Sequence, residues 1–314
     1  MITLELRRAA RDYLSIRRAL GFKLRGHDRL LEDFIGFLDR CASPTIVVTS
    51  ELAVVWATRA GTVGPVRAMQ RLCVVRGFTR HLAAMDPSAP VQVPPTDLLT
   101  CSRRRPTPYL FSDNDIHALL TAAAKLQPPF RAATHHTLFA LLVVSGLRIG
   151  EAIALDRGDV DLTGGQVAIT NAKFRKHRRL PLHPSTVAAL TDYAARRDVE
   201  FDKPVGQSFF VTAAGARLTD HGVRTVFREL LRRVDQPEQP GAGRPRIHSL
   251  RHGFAVATLR DWYAAGADVN SKLPILSAYL GHADPASTYW YLQATPELLA
   301  AAADRLEQFM DPPQ

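Results

Sequence analysis

Apolar side chains recur three and four residues apart over most of this chain, and the polar positions between them mark the faces that meet water. Leu4, Leu6, Ala10, Tyr13, Leu14, Ile16 and Leu20 fit one amphipathic helix, with Arg7, Arg8, Arg11, Arg17 and Arg18 interleaved and Gly21 as its stop. A second helix is expected over residues 27–41 on the stripe Leu30, Leu31, Phe34, Ile35, Phe37 and Leu38. Thr49 or Ser50 caps a third through Ala60, and Pro65 opens a fourth that ends near Met85. Further on, Ser112 caps a helix to about Leu126, and residues 130–145 form a more apolar, buried one. The run Ser145-Gly146-Leu147-Arg148-Ile149-Gly150-Glu151 breaks that helix and starts a short one ending near Leu155. The period then changes to two. Val160, Leu162, Val167, Ile169, Leu180 and Leu182 alternate around Gly164-Gly165 and a turn at residues 173–177, which predicts a small antiparallel sheet. Helices resume over residues 185–197, 220–234, 249–264, 272–280 and 285–292, and Thr295-Pro296-Glu297 opens a last one to about Met310. The fold class is therefore mainly α with a small antiparallel β-sheet.

One segment obeys neither period. Between Asp86 and Pro108 stand six prolines (Pro87, Pro90, Pro94, Pro95, Pro106 and Pro108) and the run Arg103-Arg104-Arg105, so a semi-rigid linker is expected over residues 88–108. It separates a helical module, residues 1–87, from a larger domain, residues 109–314. Charge sharpens that division. The chain carries a net +10, and residues 1–105 hold 17 Lys/Arg against 9 Asp/Glu, whereas residues 106–314 hold 23 against 21. A basic first third points to a polyanion, with nucleic acid ahead of a membrane surface. Three consecutive arginines in a linker suit a phosphate backbone; a solvated spacer is the plainer alternative. Cys41, Cys73 and Cys101 are odd in number and lack a CxxC, which argues against disulfide and zinc frameworks and for a reducing compartment, the cytoplasm. The opening MITLELRRAARDY has no leader-like apolar core, and the apolar run from Leu138 to Val144 is too short to span a bilayer, so no membrane partner is expected.

Four places then hold unusual chemistry. Arg148 sits at a helix break with Glu151 one turn on, close enough to orient its guanidinium. Lys173, Arg175, Lys176, Arg178 and Arg179 crowd one hairpin. His248 and Arg251, three apart in Ile247-His248-Ser249-Leu250-Arg251-His252, share a helix face. His282 follows a Gly turn, and the helix starting at Asp284-Pro285 carries Tyr291 back beside it. Singly, each has an ordinary explanation as an ion pair, a solvated tip or a packed aromatic. Together they suit cleavage of a phosphodiester without a metal or other cofactor. Arginines supply fixed bidentate donors for the phosphate oxygens, histidines move protons near neutral pH, and a tyrosine serves as nucleophile. No carboxylate cluster suggests a two-metal nuclease, and no GxxxxGK(S/T) suggests an ATPase.

The order and intervals of these motifs resemble the tyrosine recombinases, or phage integrases. Gly146-Leu147-Arg148-Ile149-Gly150-Glu151 looks like that family's first-arginine motif, and Lys173, eight residues before Pro181, like its hairpin lysine. His248-Ser249-Leu250-Arg251-His252 matches its HxLRH box and Leu280-Gly281-His282 its LGH box, and the nine-residue step from His282 selects Tyr291 over Tyr289. The likeness covers residues 109–310, and the ending Ser287-Thr288-Tyr289-Trp290-Tyr291-Leu292 is similar to members carried by mobile elements.

The resemblance implies a helical core-binding (SAM-like) domain at residues 1–87 and a catalytic tyrosine-recombinase domain at residues 109–314. It further implies that Tyr291 attacks the scissile phosphate to give a 3′-phosphotyrosine and a free 5′-hydroxyl. Arg148 and Arg251 clamp the phosphate, with Glu151 in support; Lys173 protonates the leaving oxygen; His248 assists proton transfer from Tyr291; His282 hydrogen-bonds the phosphate. Arg103, Arg104, Arg105, Arg175 and Lys176 are the expected DNA contacts. The implied partners are double-stranded recombination sites on the nucleoid, a tetramer of this chain exchanging the helix at residues 295–311, and accessory proteins. Two other readings stay open: a type IB topoisomerase that reseals the original strand, and a DNA-binding regulator without catalysis.

Overall fold

The computed structural model describes residues 2–24, 26–41, 48–59, 64–99, 107–170, 177–201, 206–234, 239, 243–282 and 284–292. It divides into two compact units, Met1–Arg105 and Pro106–Gln314. Among the described residues no helix is long and apolar enough to cross a membrane.

The first unit is built from α1 (Ile2–Ala19), α2 (His27–Arg40), α3 (Ser50–Thr58) and α4 (Pro65–Met85). Leu31, Phe34, Ile35 and Leu38 form the buried stripe of α2 and meet Trp56, Leu72, Val75 and Phe78, while Leu30 and Phe37 lie at the edge of this core. Thr49, not Ser50, caps α3, its hydroxyl accepting from Leu52 N at 3.2 Å. Arg71, a candidate phosphate contact on its charge alone, instead lies over the Trp56 ring at 4.0 Å and donates to Trp56 O at 3.0 Å. The described part of the proline-rich segment expected as a semi-rigid linker is tied to the first unit. Val91 bridges to Val48, and Arg76 donates to Pro94 O at 2.7 Å and Pro95 O at 2.6 Å. Prolines lack an N–H but keep their carbonyls, so an arginine fork can pin the run to the first unit. Residues 100–106, Arg103, Arg104 and Arg105 included, lie outside the described residues.

The second unit opens with α5 (Asp113–Ala124), where Ser112 and Asp115 form a reciprocal capping box. There follow α6 (Pro129–Ser145), the short α7 (Ile149–Ala152), and an antiparallel sheet of β1 (Val160–Asp161), β2 (Gln166–Ile169) and β3 (Arg178–Pro181) in the order β1-β2-β3. Val167, Ile169 and Leu180 face the core, with Val167 opposite Leu180, as the period-two pattern requires. Helices α8 (Pro184–Glu200), α9 (Asp220–Leu231), α10 (Ile247–Ala264), α11 (Val269–Leu280) and α12 (Ala286–Leu292) complete it. Several ends differ from the sequence reading. A 3₁₀ turn at Arg157–Asp159 follows α7, which stops at Ala152 rather than near Leu155. Helix α11 begins three residues earlier than expected because Asp268 caps it, accepting from Asn270 N and Ser271 N at 3.1 and 3.3 Å. The helix expected over residues 295–311 lies outside the described residues.

Candidate active site

Two helix ends make the frame. The first is at Gly146, which closes α6 in the left-handed region at φ 59° with its N–H on Leu142 O. A Cβ there would stand 2.5 Å from the Phe254 ring, so both backbone and space call for glycine. Two residues on, Arg148 caps α7. Its own N–H donates to Glu151 Oε2 at 3.0 Å, and its Nη1 donates to Glu151 Oε1 at 2.9 Å. Glu151 is buried and takes a second fork from β3: Arg178 donates from Nη1 and Nη2 at 3.2 and 2.9 Å. Burial by itself would raise the Glu151 pKa, but the hydrogen bonds and charge of Arg178, with Arg148 behind, hold the carboxyl below its ordinary value. The carboxylate stays ionised and fixes both guanidiniums.

The second helix end is at Gly281, which closes α11 at φ 67°. The last carbonyls of a helix have no partner within it and carry the negative end of its dipole, which suits a guanidinium. Leu280 O accepts from Arg251 Nη2 at 2.7 Å and Arg148 Nη1 at 3.4 Å, and Gly281 O accepts from Arg148 Nη2 at 3.0 Å. Arg251 also donates from Nη1 to Gly146 O at 2.8 Å, tying the end of α6 to the end of α11. It is 2% exposed, and burial, followed by the charge of Arg148, pushes its pKa down to about 10, which leaves it protonated at neutral pH. Arg178 Nε meanwhile donates to Tyr279 O at 2.8 Å and packs against Gly281, where a Cβ would lie 2.6 Å from its Nη1. Gly281→Ala is therefore expected to lower stability by at least the roughly 1–3 kcal/mol typical of backbone strain. It should also displace His282, and a thermal melt with a cleavage assay would read both effects.

Around this frame stand three histidines and a phenol. His282 Nδ1 lies 2.6 Å from Oγ1 of the buried Thr288 on α12, and its ring stacks on that of Tyr291 at 6.2 Å. Tyr291 is 2% exposed, whereas Tyr289 is 48% exposed. The Tyr291 hydroxyl lies 3.0 Å from His252 Nδ1, and His252 meets His248 edge to face at 4.6 Å. Burial holds the His282 pKa at about 4, the charges of Arg251 and Arg148 adding to it. His248 shows an exposed ring, yet crowding by protein and then the charges of Arg251, Arg148 and Arg224 also hold it at about 4. Because the exposed ring keeps some of its water, the neighbouring arginines are what secure the direction of that shift. Near neutral pH both rings are uncharged and act through hydrogen bonds.

The fold thus brings together Arg148, Glu151, His248, Arg251, His282 and Tyr291 from three separate stretches of chain. Lys173, Arg175 and Lys176 lie outside the described residues. Arg178, His252 and Thr288 belong to the site but were not singled out by sequence reasoning. His252 is legible in retrospect, being four residues from His248 and hence on the same face of α10. Chemically, paired guanidiniums held by main-chain carbonyls, neutral imidazoles and a buried phenol suit a tetrahedral oxyanion attacked by the phenol oxygen.

A model of the phage integrase family matches residues 110–297. The putative integrase/recombinase y4rB of Sinorhizobium fredii (strain NBRC 101917 / NGR234) is 41% identical over 308 residues, covering 96% of this chain and 97% of that protein. Among solved structures, the XerH site-specific recombinase bound to palindromic difH substrate, in a post-cleavage complex, aligns with a TM-score of 0.69. The identity is 15%, over 90% of this chain and 80% of that one. The Tn1549 transposon integrase in complex with transposon right end DNA aligns with a TM-score of 0.67 at 15% identity, over 96% and 99% of the two chains. At these identities the structural likeness is one of fold.

Proposed function

This chain belongs to the phage integrase family, whose members are tyrosine recombinases that cleave and rejoin DNA strands, and on that premise we propose how its own residues carry the reaction and on what DNA. One observation carries the reading: two arginines are anchored on the same helix-end carbonyl, Leu280 O, and one of them, Arg251, lies close enough to the buried Tyr291 to feel its charge. Arg148 and Arg251 hold the non-bridging oxygens of the scissile phosphate, and His282, uncharged, donates a hydrogen bond to the same group. Tyr291 Oη bonds to phosphorus as the bond to the 5′-oxygen breaks. That exchanges one phosphodiester for another of similar energy, and the reaction needs neither ATP nor a metal. A 5′-hydroxyl from a second duplex then reverses the step and releases Tyr291.

Lys173 is the proposed donor of the proton to the leaving 5′-oxygen. Lys173→Ala is expected to lose roughly 10²–10⁴-fold in cleavage of ordinary DNA, the range for a general acid. The same variant should recover on a 5′-phosphorothiolate substrate, whose sulfur leaves without a proton. Recovery by Lys176→Ala instead would exchange the roles of these two lysines.

The proposed substrates are the ends of a mobile element, in keeping with the name of the Tn1549 transposon integrase, which is bound to transposon right end DNA. Arg103, Arg104, Arg105, Arg175 and Lys176 are proposed to meet the DNA backbone. Synapsis is proposed to use four copies of this chain, each passing its helix at residues 295–311 to a neighbour, with accessory proteins where the element encodes them. In cells the protein is proposed to be cytoplasmic, on the nucleoid. The decisive experiment mixes the full chain with supercoiled plasmid carrying DNA that flanks its gene. It maps the covalent peptide, scores recombinants, and sizes complexes containing paired sites. Recombinants with the adduct at Tyr291 and four-chain complexes support the reading. Relaxation of any plasmid without recombinants would favour a topoisomerase, and the absence of any adduct would favour a DNA-binding regulator.

A further inference from the structure

We infer that His252 is a catalytic residue, the group that takes the proton from Tyr291 as the phenol oxygen attacks. This inference rests on the proposed role of Tyr291 as nucleophile. The sequence reading gave the proton to His248, but it is His252 Nδ1 that lies 3.0 Å from Tyr291 Oη, within reach for direct transfer. The rings of the two residues are 5.5 Å apart at 62°, edge to face. With the ring proton on Nε2, Nδ1 accepts from the phenol. His248 stands behind His252 edge to face and is exposed, which suits a contact with DNA rather than with the buried hydroxyl.

The step balances. The phenol proton moves from Oη to Nδ1, leaving an imidazolium at His252. The freed oxygen pair forms the bond to phosphorus, and the bond to the 5′-oxygen breaks with its electrons on that oxygen, which is protonated separately. When a 5′-hydroxyl later displaces the tyrosine, His252 returns its proton to the departing phenolate. The titratable and charged groups about this pair are His248 and Arg251 on α10, Arg148 before α7, Arg224 on α9, and His282 after α11. Arg251, whose charge reaches Tyr291, stabilises the phenolate as it forms, and the imidazole nitrogen next to the hydroxyl completes a path for the proton.

The test isolates nucleophile activation. Full-chain protein is reacted with a 5′-phosphorothiolate duplex, and the single-turnover rate of adduct formation is followed with pH, together with binding to the intact duplex. His252→Ala and His252→Asn are both expected to be roughly 10²–10⁴-fold slow near pH 7, as befits loss of a general base. The deficit should shrink as the pH rises, since a more alkaline solution ionises the phenol without a base. His252→Asn is the informative variant, since its amide can hold the hydroxyl but cannot carry the proton away. Its reaction at the parental rate would reduce His252 to a holding contact and overturn the inference, and so would a deficit that does not change with pH. His248→Asn should show a deficit independent of pH; if it alone reproduces the pH-dependent loss, the proton goes to His248 instead. An adduct formed by Tyr291→Phe in parallel would sink the nucleophile assignment itself, a separate outcome from either histidine result.

Discussion

Tyr291→Phe is expected to abolish the covalent protein–DNA adduct while leaving site binding and folding close to parental. The ring is 2% exposed and packs against His252, His282 and Trp290. Phenylalanine keeps that packing and gives up only the hydroxyl with its 3.0 Å contact to His252. A single neutral hydrogen bond is worth about 0.5–1.5 kcal/mol net, a modest shift in a melting curve. Chemically the loss is complete, because the hydroxyl oxygen is the attacking group. Tyr289, two residues away and 48% exposed, lies on another face of α12, and Tyr289→Phe should form adduct as the parent does. Denaturing gels of protein incubated with nicked duplex would read both variants. An adduct from Tyr291→Phe, or none from Tyr289→Phe, would move the nucleophile elsewhere.

Arg251→Lys carries the second large effect. The substitution keeps the positive charge and loses the fork. Arg251 reaches Gly146 O and Leu280 O together, at 2.8 and 2.7 Å, with further N–H groups of the same plane for a phosphate. A lysine has one nitrogen and cannot span both carbonyls while facing a third acceptor. Losing a preorganised oxyanion donor lowers rates by roughly 10²–10³-fold, and one buried carbonyl left unpaired costs about 1–3 kcal/mol of stability. Single-turnover cleavage should fall by that factor with duplex affinity little changed. A variant that cleaves as fast as its parent would remove Arg251 from the phosphate clamp.

What the sequence makes legible here is local. The left-handed turns at Gly146 and Gly281, the cap at Ser112, and the return of Tyr291 towards His282 all follow from residues within a few positions of one another. The alternation of Val167, Ile169 and Leu180 places the small sheet for the same reason. The anchoring of the arginines is invisible in the sequence because their partners are main-chain carbonyls, which every residue has. Nothing in the letters links Arg148 to Leu280 O, 132 positions away, or Arg178 to Glu151. Arg178 is one of five basic residues on one hairpin, and only the fold shows that it turns inward to Glu151. The start of α11 lies three residues before the expected one because Asp268 caps it, and Pro274 is accommodated inside the helix.

The carbonyl anchoring has a consequence for how the sequence can drift. A clamp fastened to peptide oxygens tolerates exchange of many neighbouring side chains, provided the chain path is unchanged. It does not tolerate a change in length. One residue added to or removed from the last turn of α6 or α11 rotates the terminal carbonyls by about 100°, turning Gly146 O or Leu280 O away from Arg251 whichever residues are present. Random libraries of this domain should therefore keep substitutions at residues 142–145 and 277–280, short of the two glycines, far more often than single-codon insertions or deletions there. Alignments of active relatives should likewise be free of gaps at both helix ends, even where the letters around them vary.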